Sequence, residues 1–324
     1  DILHIKTSLK RGMRGYMKGL DLSRKFYIEC GAPMLNEQFD SALPYLAVGL
    51  VGSGSECLGF DDEVSQDHDF EPAFCVFVPD EIDSKTCFEL ERAYSKLPRA
   101  FLGFERSTVN TGRHGVIRIG DFFEAKTGRR NGELSLSDWF SVPEYSLKEA
   151  TNGEVFFDNY GLFTEIRKRL SYFPEDIRLK KLAGNLFLMG QAGRYNYSRC
   201  IERKDSAAAQ MAVFEFVKSA LSAIFLLNKT YAPYYKWSFC ALNELKCLSE
   251  LSQPLEYLIS SGNSADEAEN KARIIEEVCA SILAQLKVTG LVKSQGGDVQ
   301  TCAQTVNNLI KDISIRNLHI LAAV

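Results

Sequence analysis

Two short segments of the chain bring together residue types able to do chemistry. The first is Gly52-Ser53-Gly54-Ser55-Glu56-Cys57-Leu58-Gly59. The second is Ser65-Gln66-Asp67-His68-Asp69, reached through the acidic stretch Asp61-Asp62-Glu63. An apolar run, 45–51, enters the first segment and another, 73–78, leaves the second. Side chains of an extended segment alternate faces, so Asp67 and Asp69 share a face and His68 opposes them. Two carboxylates so placed repel each other unless a cation lies between them. Their hard oxygen donors suit Mg2+ (or Mn2+), which takes its other ligands from water and substrate phosphates. Gly54-Ser55 lets backbone amides and a hydroxyl approach phosphate oxygens with no Cβ in the way. Asp67 and Asp69 are therefore the expected metal-binding and catalytic residues, and Gly54 and Ser55 the expected nucleotide-binding ones. Neither half is specific alone. The information lies in Gly-Ser and Asp-x-Asp separated by eleven residues and bracketed by two strand patterns. The competing explanation is a polar loop whose acids merely solubilise it. The glycine and glutamate spacing of an EF-hand is absent.

A second constellation lies further along. Arg194, Tyr195, Asn196, Tyr197, Arg199 and Arg203 follow one helical pattern, and Tyr231, Tyr234, Tyr235, Lys236 and Trp237 gather around Pro233. Aromatic rings with neighbouring cations suit a nucleotide, one to stack on the base and the other to meet phosphates. Lys236 and Arg194 are the candidates for such contacts. For each residue of this group the plainer expectation is a core aromatic with snorkelling cations. Asp158 is expected as a turn residue, and His114 and His319 as structural or exposed. Ser55 has no His-Asp partner set that would make it a nucleophile.

The elements that must position these residues fall into two halves. Strands are expected near 45–51, 73–78, 115–119 and 154–157, with helices over 20–30 (stopping at Gly31 and Pro33), 83–97 and 121–126. From residue 162 the strand signals cease. Helices are expected over 162–172, 174–203, 205–227, 233–248, 254–260, 265–288 and 299–322, with Asn263-Ser264 and Asp298 as N-caps and Gly290 and Gly296-Gly297 in the last loop. The expected fold class is α+β, a small mixed-sheet domain over 1–160 followed by an all-helical bundle over 161–324.

Bulk properties exclude several classes. A net charge of −4 over 324 residues argues against a surface given over to nucleic acid or an anionic membrane. The N-terminal cations Lys6, Lys10, Arg11, Arg14, Lys18, Arg24 and Lys25 read as a solvated helix face, with an RNA or phosphate contact as the lesser alternative. Nine cysteines without a Cys-x-x-Cys pair look reduced rather than disulfide-bonded or zinc-binding. The opening Asp-Ile-Leu-His lacks the basic-then-apolar pattern of a secretory leader, and a cytoplasmic location is expected. The apolar stretch 207–227 carries Glu215 and Lys218, which suits the central helix of a bundle better than a bilayer.

The segment Gly54-Ser55-x-x-x-Gly59…Ser65-x-Asp67-x-Asp69 resembles the signature of the polymerase-β-like nucleotidyltransferase superfamily. The whole chain more closely resembles a bacterial family with a nucleotidyltransferase-like domain of unknown function. Gly49-Leu50-Val51-Gly52, Asp67-His68-Asp69-Phe70, Asn152-Gly153-Glu154-Val155-Phe156, Gln191-Ala192-Gly193-Arg194-Tyr195-Asn196-Tyr197 and Tyr231-Ala232-Pro233-Tyr234-Tyr235-Lys236-Trp237 share in that likeness. The resemblance implies a small mixed-sheet domain paired with a helical one, as in aminoglycoside nucleotidyltransferases. It also implies Mg2+-dependent transfer of a nucleoside monophosphate from a nucleoside triphosphate to an acceptor, whether small molecule, protein or RNA. The chain departs from the pattern at two points. The superfamily places a third carboxylate on a later strand, and Val116-Ile117-Arg118-Ile119 has none, leaving Asp121 and Glu124 just beyond it as candidates. A basic residue often follows the motif serine, and here Glu56 does. The alternative function is accordingly a nucleotide-binding regulator or pseudoenzyme.

Overall fold

The computed structural model describes residues 17–65, 70–107, 112–293 and 297–324. Asp67, His68 and Asp69, the cations Lys6, Lys10, Arg11 and Arg14, and Gly296 lie outside the described residues. The chain divides into two compact units, one of Asp1–Glu133 with Ser146–Ser171, the other of Leu134–Tyr145 with Tyr172–Val324.

The described part of the first unit begins with helix α1 (Gly19–Phe26), a π-turn (Tyr27–Gly31) and α2 (Ala32–Gln38). The helix does not stop at Gly31 and Pro33 as expected. The π-turn absorbs the break, and Pro33 sits in the first turn of α2, where its missing N–H costs little. Gly31 is required there because a Cβ would lie 2.4 Å from Phe74 Cζ. Strand β1 (Ala47–Leu50) then runs into the short helix α3 (Ser55–Leu58). Next come β2 (Cys75–Val78), α4 (Ser84–Ser95) capped by Asp83, and a two-stranded pair, β3 (Ala100–Phe101) and β4 (Phe104–Glu105). Strand β5 (Gly115–Arg118) leads straight into α5 (Ile119–Thr127). Helix α6 (Leu136–Ser141) belongs to the second unit, and α7 (Glu144–Thr151) begins there and ends in the first, where β6 (Glu154–Asp158) and α8 (Leu162–Arg169) follow.

The main sheet has the order β5-β2-β1-β6. β1 pairs antiparallel with β2 and β6, whereas β2 and β5 are parallel, joined through α4. β2 is buried on both faces, hence its unbroken run Cys-Val-Phe-Val. Val76 and Val78 point into a core with Val48, Phe26, Phe74, Leu90 and Tyr94. Phe77 faces the other way. Its ring stacks on Phe163 of α8 at 3.9 Å, and Phe122 and Phe123 of α5 close that cluster. This packing holds α8 in the first unit, so the division between units follows Ser171 rather than residue 160.

The second unit is helical: α9 (Glu175–Met189), a π-turn (Gly190–Asn196), α10 (Tyr197–Glu202), α11 (Ser206–Leu227), α12 (Ser238–Asn243), α13 (Ser252–Ser260), α14 (Ala265–Val288), α15 (Val299–Asn307) and α16 (Ile313–Arg316). α9 packs against α11 and α15. The single helix expected over 299–322 is broken because Asp176 accepts the N–H groups of Lys311 and Asp312, and Asp312 then caps α16. The stretch 233–248 folds as a 3-10 turn followed by the short α12. α11 is long and apolar enough to cross a membrane by length and composition, yet about half of it is buried within the unit. Glu215 and Lys218 pair on its outer face. The overall class is α+β, a small mixed sheet with its helices followed by a helical unit.

Candidate functional site

The loop from Val51 to Gly54 leaves the end of β1, an interior strand, and turns sharply into α3. Gly52 has φ 108° and Gly54 has φ 128°, a left-handed region that side chains rarely enter. Two glycines two residues apart are what let the backbone make this turn. Asn152, at the end of α7, fastens it. Gly52 N–H donates to Asn152 Oδ1 at 2.8 Å, and Asn152 Nδ2 donates back to Gly52 O at 2.8 Å. The carboxamide thus acts as one more rung on β1. Asn152 is in turn set by Arg167, whose Nη2 donates to the Thr151 and Asn152 carbonyls at 2.7 and 2.5 Å. Burial pulls the Arg167 guanidinium down to about 10. Gly153 N–H closes the frame on Cys57 O at 2.8 Å.

Charged side chains crowd this loop. Arg113, two residues before β5, donates from Nη2 to Ser53 O at 2.9 Å and to Glu56 Oε1 at 2.5 Å. Lys126 of α5 donates to Ser53 Oγ at 3.0 Å and pairs with Glu149 of α7, which also accepts the Ser53 hydroxyl at 2.9 Å. Glu56 is largely buried. Desolvation pushes its carboxyl up, with Arg113 and then His114 pulling it back and Asp61 pushing it further up. The basic residue absent after Ser55 in the sequence is thus matched in space by a cation from a distant loop. On the other flank, Gly19 N–H donates to Asp61 Oδ2 at 2.7 Å and Lys18 reaches the Gly59 and Asp61 carbonyls.

A cavity of about 490 Å3 opens beside β5, lined among others by Glu71, Tyr94, Arg106, Ser107 and His114. His114, expected as structural or exposed, lies beside a carboxylate. Its Nδ1 lies 3.4 Å from Glu71 Oε1, while Glu71 Oε2 accepts Ser107 N–H at 2.6 Å. Burial opposes ionisation of Glu71, but His114 and Ser107 outweigh it and hold the carboxyl below its ordinary value. Arg106 lies over the Tyr94 ring at 4.7 Å and bonds the Tyr94 and Leu97 carbonyls, which makes it part of the wall.

The other sequence candidates fall elsewhere. Asp121 and Glu124 are brought together, but by Arg130, which also takes Asp80. Asp121 and then Asp80 raise the pKa of that guanidinium. At 100° per residue the two acids leave α5 on a different side from Lys126, the residue that meets Ser53. Arg194, in the second unit, joins α14 to the cap of α15 by pairing with Glu276 at 2.7 Å and Asp298 at 3.4 Å. Lys236, also in the second unit, lies over the Trp237 ring at 4.9 Å. Asp158 is a turn residue, accepting from the Gly161 and Thr164 amides. Among the described residues no cluster of three or more His, Cys, Asp or Glu is arranged to hold a metal ion.

Arg113, Lys126 and Glu149 are not singled out by sequence reasoning, since single charges on separate elements carry no signal until the sheet assembles them. Asn152-Gly153 was visible only as a familiar stretch.

The fold defines a mixed-sheet α+β unit with a glycine–serine turn on an interior strand, followed by a helical unit. Residues 139–238 match the model of a family described as a domain of unknown function, DUF4037. That segment contains Glu149, Asn152, Arg194 and Lys236, whereas Gly54, Ser55, Asp67 and Asp69 precede it. Among solved structures the chain is similar to a nucleotidyltransferase-like protein from Exiguobacterium sibiricum. The two share 10% identity over 80% of this chain and 76% of that one, with a TM-score of 0.36. No curated protein matches the chain.

Proposed function

We propose that the first unit binds a nucleoside triphosphate with Mg2+ (or Mn2+) and transfers its nucleoside monophosphate to an acceptor, releasing pyrophosphate. The observation that carries this reading is the Gly52–Ser55 turn. Two glycines at positive φ, fastened by a buried asparagine, carry the backbone round a strand end with no Cβ between it and the cations Arg113 and Lys126. Asp67 and Asp69 would hold the metal. They are hard oxygen donors, and water and substrate phosphates would supply the remaining ligands. The metal, when bound, supplies positive charge that offsets the phosphate charge developing during transfer. Gly54 and Ser55 orient the phosphates. The acceptor hydroxyl attacks the α-phosphorus as the bond to pyrophosphate breaks.

The sheet supplies no carboxylate on β5 to take the acceptor's proton. His114, oriented by Glu71 and lining the cavity beside β5, fills that role, leaving Nε2 to accept the proton. The test is incubation of the full chain with labelled nucleotides, Mg2+ and a panel of small-molecule, protein and RNA acceptors, following label transfer and pyrophosphate. Transfer that survives His114→Gln unchanged would remove His114 from the chemistry.

A second reading, a nucleotide-binding regulator, is favoured by one observation. Asp121 and Glu124, the first acids after β5 in the sequence, are both committed to Arg130. It expects Mg2+-dependent binding with no pyrophosphate released.

A further inference from the structure

We propose that Arg113 and Lys126 are the phosphate-binding cations of the Gly52–Ser55 turn, and that Glu56 and Glu149 are internal anions displaced by an incoming polyphosphate; this rests on the nucleotide reading above. Two cations from different elements converge on one residue. Arg113 meets the Ser53 carbonyl at 2.9 Å and Lys126 meets its hydroxyl at 3.0 Å. Each also holds a carboxylate, Glu56 for the first and Glu149 for the second.

Gly54 shows where the first pair lies. A Cβ at this residue would sit 2.3 Å from Arg113 Nη2 and 2.4 Å from Glu56 Oε1. The space that the glycine keeps open is therefore filled by a guanidinium and its counter-anion. A phosphate oxygen carries the same sign of charge as that carboxylate and meets the guanidinium fork by the same hydrogen bonds. Glu56 stands where a phosphate would be bound.

The four groups sum to no net charge, so a polyphosphate arriving beside intact pairs finds no uncompensated cation. Once the carboxylates swing away, two positive charges face it. All four side chains reach solvent at one edge. Arg113 and Glu56 keep 21% and 12% of their side-chain surface exposed, and Lys126 and Glu149 keep 18% and 19%. Burial also disfavours the Glu56 carboxylate, even with Arg113 beside it.

Calorimetry on the full chain with Mg2+ tests the exchange, using a non-hydrolysable nucleoside triphosphate analogue and, separately, inorganic triphosphate. If the paired state holds about nine-tenths of the molecules, removing the competing anion tightens binding about ten-fold. Glu56→Gln and Glu149→Gln are expected to tighten both ligands in this way, and Arg113→Gln and Lys126→Met to weaken both. A parallel change for inorganic triphosphate assigns the contacts to phosphate rather than to base or sugar. The gain in affinity cannot come from misfolding, so the glutamate variants decide the matter even if Arg113→Gln melts early. Wild-type binding that the glutamine variants leave unchanged overturns the exchange while the nucleotide reading stands. No binding by wild type or by any variant overturns the nucleotide reading itself, and the exchange with it.

Discussion

The carboxamide of Asn152 and the backbone of Gly52 exchange two hydrogen bonds of 2.8 Å each across 100 residues of chain. That reciprocal pair holds the glycine turn to the end of α7 in the way a neighbouring strand would. Removing it leaves a buried N–H and a buried C=O without partners, which costs about 1–3 kcal/mol for each group left unsatisfied. Asn152→Ala is therefore expected to lower the midpoint of chemical denaturation and to weaken triphosphate binding together. A variant that loses stability but binds nucleotide unchanged would separate the fastening from the site.

Glu56 makes stability depend on pH in a definite direction. Burial raises its carboxyl above the ordinary 4.5, against the pull of Arg113 and His114 and with the push of Asp61. The folded chain then binds more protons than the unfolded chain between 4.5 and the raised value. Stability from this group is present at acid pH, falls as pH rises through that window and is level above it. Glu56→Gln should remove this component of the slope and match or exceed the wild-type melting temperature at neutral pH. Thermal melts of both proteins across pH 4 to 7 check the difference. A neutral-pH melting temperature well below wild type would mean that the Arg113 pair stabilises the turn more than burial costs it.

In the second unit Lys180 is fully buried, and its ammonium donates to Asn307 Oδ1 at 2.8 Å, Leu318 O at 2.7 Å and Arg316 O at 3.2 Å. One side chain thereby ties α9 to the segment that follows α15. Lys180→Met keeps most of the volume but strands those acceptors. The expected loss is about 2–4 kcal/mol, with amide exchange rising first in 307–318. Unchanged protection there would show that apolar packing alone holds the C-terminal segment.

The cysteines give an independent check on burial. Cys240 is exposed, whereas Cys57, Cys75, Cys279 and Cys302 are buried. Burial pushes the Cys75 and Cys279 thiols up to about 12. Alkylation of the native chain, read by mass spectrometry, should modify Cys240 first and the four buried residues only on unfolding. Early modification of Cys75 would mean that β2 is not enclosed as described.

Much of the sheet was legible in the sequence because β2 and β1 are apolar runs closed by proline and glycine, and such runs survive any reading frame of burial. The boundary between the units was not. α8 has the same amphipathic pattern as the helices after it, and packing such as the Phe163 ring on Phe77 assigns it to the sheet. The π-turn at Tyr27–Gly31 was hidden for a similar reason, since glycine and proline ordinarily end a helix and nothing local shows that the ladder can be re-registered around them. At the site, the Gly-Ser turn was legible from composition. The charges around it were not, because Arg113, Lys126 and Glu149 meet Ser53 only through the pairing of β5 with β2 and the placing of α5 and α7. The pairing of Arg194 with Glu276 and Asp298 was likewise not legible, because its partners lie on helices far along the chain.

On the proposed function, Gly54-Ser55 with Asp67 and Asp69 forms a metal-dependent triphosphate site. Calorimetric titration of a non-hydrolysable nucleoside triphosphate into the full chain, with Mg2+ and with the metal chelated, tests it most directly, alongside the double variant Asp67→Asn, Asp69→Asn. The predicted result is saturable binding that requires Mg2+ and is lost in the double variant while its melting temperature is kept. Binding that persists without Mg2+ or in the double variant, or no binding by the wild-type chain, would contradict it.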